Sequence, residues 1–135
     1  QLGRRLRKRV EAVIAETSGN TKGTLTLALS YGGRAEIVHA AKALAEKVRD
    51  GALQPEDIDE KAFEAELYTA GMPDPDLIIR TASEFRLSNF LLWQASYAEF
   101  WATPVYWPDF GRDEFMAALD DFARRKRRFG GVKNA

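Results

Sequence analysis

The sequence contains no cysteine and a single histidine, and its acidic and basic residues are equal in number. Without cysteine, a disulfide framework, a thiolate metal site and a cysteine nucleophile are all excluded. One histidine cannot form the histidine cluster that binds a transition metal. A formal net charge of zero argues against a generic nucleic-acid-binding protein, because neutralising a phosphate backbone requires surplus positive charge. It leaves a small, local anion site open.

Long apolar segments are also missing. No apolar run approaches the ~20 residues that span a bilayer, and the first residues lack the apolar stretch of a signal peptide. We therefore expect a cytoplasmic protein whose association with membranes is at most peripheral. The chain has 135 residues, of which 45% are hydrophobic and 11% aromatic, so it is long enough for one domain with a core and too apolar to be disordered.

The spacing of the apolar residues predicts an α/β chain. Apolar residues at helical spacing or in an apolar–polar alternation mark the elements. The predicted helices cover 2–17, 34–49, 88–94 and 115–123, with a weakly helical acidic segment at 55–69, and the predicted strands cover 24–31, 77–79 and 98–103. The run at 77–79 is continuously apolar, which is typical of a strand buried on both faces of a sheet. A strand, a glycine turn and a helix in succession indicate an α/β unit.

The segment that follows the strand at 77–79 is the strongest candidate for chemistry. Arg80 and Arg86 come after the carboxyl end of this strand, and Ser88 or Asn89 is placed to cap the helix predicted over 88–94. Open α/β sheets bind ligands at this edge, arginine forks match phosphate oxygens, and a helix N-terminus attracts anions. These residues predict a phosphate or diphosphate site. The alternative is that the two arginines pair with nearby carboxylates such as Glu84 or Asp76, and the spacing alone leaves both interpretations open.

The same segment resembles the cis-prenyltransferases, the family of undecaprenyl diphosphate synthase. The resemblance covers nearly the whole chain and is densest from 74 to 110. Its motifs are the Tyr-Gly-Gly-Arg run at 31–34, the Arg-Thr…Glu-x-Arg-Leu-Ser-Asn-Phe-Leu-Leu-Trp-Gln run at 80–94, Tyr-Ala-Glu at 97–99, Trp-Pro-Asp-Phe at 107–110 and Arg-Arg-Phe-Gly-Gly at 127–131. It implies an α/β fold with a mostly parallel sheet flanked by helices.

The resemblance also implies an activity and its residues. Family members elongate an allylic diphosphate with isopentenyl diphosphate units in cis geometry. At the matching positions, Arg80, Arg86 and Ser88 would hold the diphosphate of isopentenyl diphosphate, and Leu87 lies in the same binding segment. Glu99 matches the family's ligand for Mg²⁺, a cation that prefers oxygen donors and substrate phosphates.

The C-terminal Arg-x-Gly element of the family matches Arg128 and Gly130. In some members this element reaches the active site of a neighbouring subunit, so the resemblance implies an inter-subunit substrate contact and a homodimer. The alternative for these two residues is a solvated basic helix end, whose charge favours the helix dipole.

Two departures from the family pattern stand out. Ala82-Ser83 replaces residues that commonly include glycine, so we expect an altered path of this loop or altered product chain length. The family's Asp-Gly-Asn-Gly-Arg-Trp-like loop, which supplies the catalytic aspartate, is absent from the sequence. We therefore expect residues 1–135 to be the C-terminal part of a single cis-prenyltransferase domain, with no catalytic residue of its own and no activity alone.

Two other functions remain open from the sequence. A non-catalytic partner subunit of a heteromeric prenyltransferase would also lack the catalytic aspartate, although a pure scaffold need not keep Arg80, Arg86, Ser88 and Glu99. An RNA-binding module would use the basic runs at 4–9 and 124–128. We interpret these runs as solvated helix faces and expect no nucleic-acid partner.

Overall fold

The structure is a computed structural model of the chain and describes residues 3–127. The chain divides into two compact units, one ending at Tyr31 and the other beginning at Gly32. Within the described residues, no helix is long and apolar enough to cross a membrane.

The first unit contains helix α1 (Arg4–Thr17), which confirms the helix predicted over 2–17. Side-chain hydroxyls bond the carbonyls of its last turn: Thr17 Oγ1 donates to the Val13 carbonyl at 2.8 Å, and Ser18 Oγ donates to the Ala15 carbonyl at 2.9 Å. The Ala15 carbonyl is one of the last four carbonyls of α1, which have no intrahelical partner, so the Ser18 hydroxyl satisfies it.

The strand predicted over 24–31 is wrong. In the part of the chain that the structure describes, 24–30 make no backbone hydrogen bond, and Leu25 is 87% exposed. A strand forms only against a neighbour, because its N–H and C=O groups must be paired. Leucine alternation gives the segment the right pattern for a sheet face but does not supply the second strand.

The second unit begins with helix α2 (Gly33–Arg49), which confirms the helix predicted over 34–49. The acidic segment after it is less helical than predicted: it contains a 3₁₀ turn (Pro55–Asp57) and the short helix α3 (Glu60–Glu64), which contacts α2. The side chain of Asp59 caps α3 by accepting a hydrogen bond from the Ala62 N–H at 2.8 Å.

Two parallel strands form the sheet and confirm the strands predicted at 77–79 and 98–103. Strand β1 (Leu77–Arg80) pairs with strand β2 (Glu99–Ala102) in a register that sets Leu77 opposite Glu99 and Arg80 opposite Ala102. Helix α4 (Arg112–Arg124) contacts β2 and confirms the last predicted helix, which starts three residues earlier than expected. The fold is therefore a parallel sheet flanked by helices, as the resemblance implied.

The helix predicted over 88–94 is wrong. Ser88, Asn89 and Leu91 have φ angles of 52°, 64° and 48°, which belong to the left-handed region. Such residues cannot continue a right-handed helix, since the two conformations turn in opposite directions. A 3₁₀ turn (Gln94–Tyr97) follows instead and leads into β2.

A buried carboxylate ties separate segments of the second unit to α2. Glu36 has no solvent exposure and accepts hydrogen bonds from the Tyr68 N–H at 2.9 Å and from Gln94 Nε2 at 3.2 Å. The apolar core of residues 3–127 is small. Its buried residues are Ala40, Leu44, Leu67, Ile78, Ala95 and Ala118. Because this apolar core is small, the hydrogen bonds of Glu36 contribute substantially to packing. They join α2 to Tyr68, which precedes β1, and to Gln94, which lies between β1 and β2.

Candidate functional site

The candidate site lies in the loop 81–91, beyond the carboxyl end of β1. Backbone hydrogen bonds hold the start of this loop beside the extension of β2: the Ala82 N–H donates to the Val105 carbonyl at 3.0 Å, and the Ser83 N–H donates to the Thr103 carbonyl at 2.9 Å. The loop therefore leaves the sheet at a fixed position.

Ala82 and Ser83 occupy backbone conformations that favour glycine. Their φ angles are 59° and 55°, and a residue with a Cβ pays about 1–2 kcal/mol there. The sequence drew attention to these two positions because the family commonly has glycine in this part of the loop. Ala82 and Ser83 therefore hold a left-handed backbone that glycine would adopt at lower cost, and the expected change in loop path or product chain length stays a prediction.

Three charged side chains meet at the start of this loop. Glu84 accepts a hydrogen bond from Arg80 Nη2 through one carboxylate oxygen and from Arg86 Nη2 through the other. The Arg80 side chain is 24% exposed and the Arg86 side chain is 64% exposed. Two guanidinium groups and one carboxylate leave the cluster with one uncompensated positive charge. The ion pairing that the sequence left open is therefore present, but it neutralises only half of the positive charge.

Of the two carboxylates considered from the sequence, only Glu84 pairs with these arginines. Asp76, just before β1, instead accepts a hydrogen bond from Arg127 Nη1. An open cavity of about 300 Å³ adjoins the cluster, and a volume near 300 Å³ is at the lower end of small-molecule sites. Its lining residues are Ile79, Arg80, Thr81, Ala82, Glu84 and Trp107.

Leu87 and Ser88 continue the loop beyond the arginines. Leu87 is half-buried, and its carbonyl accepts a hydrogen bond from the Phe90 N–H at 3.1 Å. Ser88 is exposed, and its hydroxyl makes no hydrogen bond to any residue between 3 and 127. The hydroxyl of Ser88 is therefore available as a donor to a ligand.

Asn89 joins the loop to the N-terminal end of α2. The Gly33 N–H donates to the Asn89 carbonyl at 2.8 Å, and the Arg34 N–H donates to Asn89 Oδ1 at 2.9 Å. The sequence predicted that Ser88 or Asn89 caps a helix at 88–94. Asn89 does cap a helix, but that helix is α2, 55 residues earlier. The sequence carried only an indirect signal for this contact: Gly32 and Gly33 at the start of α2, which predicted a turn.

Glu99 lies apart from the arginine cluster. It begins β2 opposite Leu77, whereas Arg80 is opposite Ala102, three residues further on and about 10 Å along the strand. Glu99 Oε2 accepts a hydrogen bond from Arg125 Nη1 at 2.8 Å.

Arg125 links Glu99 to a second carboxylate. Its Nε donates to Asp121 Oδ2 at 2.9 Å. The hydrogen bonds to Glu99 and to Asp121 raise the pKa of the Arg125 guanidinium, since both carboxylates stabilise its charged form. Glu99 is thus already neutralised by a permanent cation.

A magnesium site is incomplete in the part of the chain that the structure describes. Between residues 3 and 127, no three His, Asp or Glu side chains are close enough to hold a metal ion together. Glu99 alone provides one carboxylate, and Arg125 occupies it. A Mg²⁺ ion at Glu99 would therefore need its other oxygen ligands from substrate phosphates and water, and Arg125 would have to leave Glu99. Arg128 and Gly130, assigned from the resemblance to an inter-subunit contact, lie outside the described residues.

Comparisons with known proteins place this geometry in a family. The family model described as "Putative undecaprenyl diphosphate synthase" matches residues 1–130. An isoprenyl transferase from Heliobacterium mobile is 54% identical over 127 residues, which are 94% of this chain and 49% of that protein. An isoprenyl transferase from Bacillus subtilis (strain 168) is also 54% identical, over 91% of this chain and 47% of that protein. The chain spans about half the length of these curated relatives.

Solved structures agree with the sequence comparisons. Lavandulyl diphosphate synthase from Lavandula x intermedia, in complex with dimethylallyl diphosphate, matches with a TM-score of 0.92 and 43% identity over 97% of this chain and 56% of that one. A probable undecaprenyl diphosphate synthase from Campylobacter jejuni matches with a TM-score of 0.76 and 33% identity, over 97% of this chain and 59% of that one. The motifs, the parallel sheet and these relatives lead to one conclusion: the chain belongs to the undecaprenyl diphosphate synthase family of cis-prenyltransferases.

Proposed function

We propose that the loop beyond β1 binds the diphosphate group of isopentenyl diphosphate in a cis-prenyltransferase. Arg80, Arg86 and Ser88 supply the donors, and Leu87 belongs to the same binding segment. The observation that carries this proposal is the convergence of two arginines on one carboxylate, with one positive charge uncompensated, beside an open cavity at the carboxyl end of a parallel strand. Ligands of open α/β sheets bind at this edge.

The ion pairs with Glu84 are compatible with diphosphate binding. Each guanidinium has five N–H donors, and Glu84 engages only one nitrogen, Nη2, of each arginine. The remaining donors can form the two parallel bonds that arginine makes with phosphate oxygens. Glu84 would then hold the two arginines at a fixed separation while the diphosphate bonds their other nitrogens.

In the intact enzyme, we propose that this site positions isopentenyl diphosphate for condensation with an allylic diphosphate. The alkene of isopentenyl diphosphate attacks the allylic carbon, the bond from that carbon to its diphosphate breaks, and loss of a proton completes the step. The residues of this chain bind and orient the first substrate, which lowers the entropic part of the barrier. We assign no catalytic residue to this chain.

We propose further that the intact enzyme is a homodimer that requires Mg²⁺, with Glu99 as one ligand. Mg²⁺ commonly takes one or two carboxylates together with substrate phosphates and water, so a single carboxylate from this chain is consistent with its chemistry. The metal would have to displace Arg125 from Glu99.

A titration calorimetry experiment on the 135-residue chain tests the proposed site. Isopentenyl diphosphate should bind, whereas isopentenol, which lacks the diphosphate, should not bind measurably. Inorganic diphosphate should compete with isopentenyl diphosphate for the same site. Equal binding of isopentenol and isopentenyl diphosphate, or no binding of either, would contradict the proposal and would favour a non-catalytic partner subunit.

A further inference from the structure

The C-terminal end of the loop 81–91, which we call the diphosphate loop, has an unusual backbone conformation. Ser88, Asn89 and Leu91 have positive φ angles, although none of them is glycine. Asn adopts the left-handed region more readily than most residues that have a Cβ, whereas Ser and Leu rarely adopt it. Such conformations persist only where surrounding contacts hold them, and they are common at functional sites. The question is which contacts hold this part of the loop.

Asn89 makes two of the contacts that hold it, and both of these are with α2. Its backbone carbonyl accepts from the Gly33 N–H at 2.8 Å, and its Oδ1 accepts from the Arg34 N–H at 2.9 Å. The first N–H groups of a helix have no intrahelical acceptor. The residue before α2 is Gly32, which has no side chain to cap them, so α2 depends on Asn89 for this purpose.

Gly32 and Gly33, at the start of α2, make this close approach feasible. A Cβ on Gly32 would lie 2.8 Å from Asn89 Nδ2. A Cβ on Gly33 would lie 2.8 Å from Leu92 Cγ and 3.0 Å from the Leu92 backbone nitrogen. The two 2.8 Å distances are shorter than real Cβ contacts, so a Cβ at Gly32 would displace the Asn89 amide, and a Cβ at Gly33 would push Leu92 and its backbone away from the helix.

We infer that Asn89 is a positioning residue: it locks the diphosphate loop onto the N-terminal end of α2 and so sets the orientation of Arg86 and Ser88. Ser88 is its immediate neighbour, and Arg86 lies three residues earlier on the same short loop. The lock fixes these donors before a ligand arrives, which lowers the entropic cost of binding. The two N–H groups of α2 that Asn89 occupies are not free to bind an anion themselves. This inference rests on the proposed diphosphate site.

Two substitutions break the lock from opposite sides. Asn89→Gly removes the Oδ1 acceptor while keeping a residue that adopts positive φ freely, so its effect comes from the lost side chain. Gly33→Ala leaves Asn89 unchanged and inserts the Cβ that would collide with Leu92. Leu44→Ala is the control for stability, because Leu44 is buried in α2 away from the loop. Gly23→Ala is the control for glycine replacement, since nothing lies within 4 Å of a Cβ at that position.

The experiment measures amide hydrogen exchange and affinity for inorganic diphosphate in the full 135-residue chain, at fixed ionic strength. In Asn89→Gly, exchange at the Arg34 amide should accelerate, and affinity for diphosphate should fall about tenfold, which corresponds to about 1.4 kcal/mol. Gly33→Ala should change both quantities in the same direction. Asn89→Asp keeps the acceptor and should restore slow exchange at Arg34. Leu44→Ala should lower the unfolding midpoint without a tenfold loss of affinity, and Gly23→Ala should change neither quantity.

Three results would overturn the inference. The first is unchanged exchange at Arg34 in Asn89→Gly, because the lock would then not exist. The second is faster exchange with unchanged diphosphate affinity, because the lock would then not position the donors. The third is an equal loss of affinity in Leu44→Ala, which would make the effect one of general stability. If the unsubstituted chain bound no diphosphate, the proposed function would fail, and exchange at Arg34 would still decide whether Asn89 holds the loop against α2.

Discussion

Replacing Arg86 by alanine should separate binding from stability. The Arg86 side chain is 64% exposed, and among residues 3–127 its ion pair is with Glu84, which is itself 36% exposed. Exposed ion pairs of this kind contribute about 0–1 kcal/mol to folding. A charged hydrogen bond to a ligand is worth about 1.5–3 kcal/mol, and each 1.4 kcal/mol is about a tenfold change in affinity. Arg86→Ala should therefore weaken diphosphate binding by about 10- to 100-fold while the free energy of unfolding changes by less than about 1 kcal/mol.

The charge balance of the cluster strengthens this expectation. Without Arg86, Glu84 pairs with Arg80 alone, and the uncompensated positive charge disappears. Titration calorimetry with inorganic diphosphate measures the affinity, and urea unfolding measures the stability. Arg7→Ala is the matched control, because Arg7 is also exposed, at 74%, and forms a single ion pair with Glu11 on α1. Equal losses of affinity in the two variants, or losses of stability as large as those of affinity, would refute the reasoning.

Three further predictions address other parts of the chain. Glu36→Ala should lower the free energy of unfolding by about 2–4 kcal/mol, because it leaves the Tyr68 N–H and Gln94 Nε2 without an acceptor. A loss below about 1 kcal/mol in urea unfolding would contradict the importance of this contact. Partial desolvation, and then the charge of Glu64, raise the pKa of the exposed Asp74, so this group favours folding when protonated and costs some stability as pH rises above its ordinary value of 3.8. Asp74→Asn should accordingly raise the unfolding midpoint at pH 7, with a gain that shrinks towards pH 3.8; a gain independent of pH would refute that cause. Glu99→Gln in the intact enzyme should raise the Mg²⁺ concentration needed for activity, and an unchanged metal requirement would remove Glu99 from the metal site.

The helices and the two parallel strands could be predicted from the sequence because their signals are local. Apolar residues at helical spacing gave α2 nearly residue for residue, and the continuous apolar run at 77–79 identified β1. The strand predicted at 24–31 failed because leucine alternation carries no information about whether a partner strand is present. The prediction of a helix at 88–94 was wrong because Ser88 and Asn89, which are typical helix-capping residues, adopt left-handed backbone conformations here.

The candidate site was predicted in part. Arg80 ends β1, and Arg86 and Ser88 follow in the loop 81–91, so sequence order alone brings the three residues near each other. The alternative pairing with Glu84 was also visible at a spacing of a few residues. The cap from Asn89 to α2 spans 55 positions and depends on the absence of a Cβ at Gly33, which no local pattern encodes.

The separation of Glu99 from the arginine cluster could not be read from the sequence either. It follows from the register of the two parallel strands, in which Glu99 is opposite Leu77 and not opposite Arg80. The ion pair of Glu99 with Arg125 likewise depends on how α4 packs against β2. Both are consequences of tertiary structure.

A titration of the isotopically labelled chain with isopentenyl diphosphate, followed by two-dimensional NMR, tests the central claim most directly. The account predicts that the ligand shifts the signals of the Arg80 and Arg86 guanidinium groups and of the Ser88 amide, with inorganic diphosphate producing the same pattern at these residues. Shifts confined to the basic face of α1, whose arginines begin at Arg4, would contradict it. So would a titration in which the signals of loop 81–91 do not move at all.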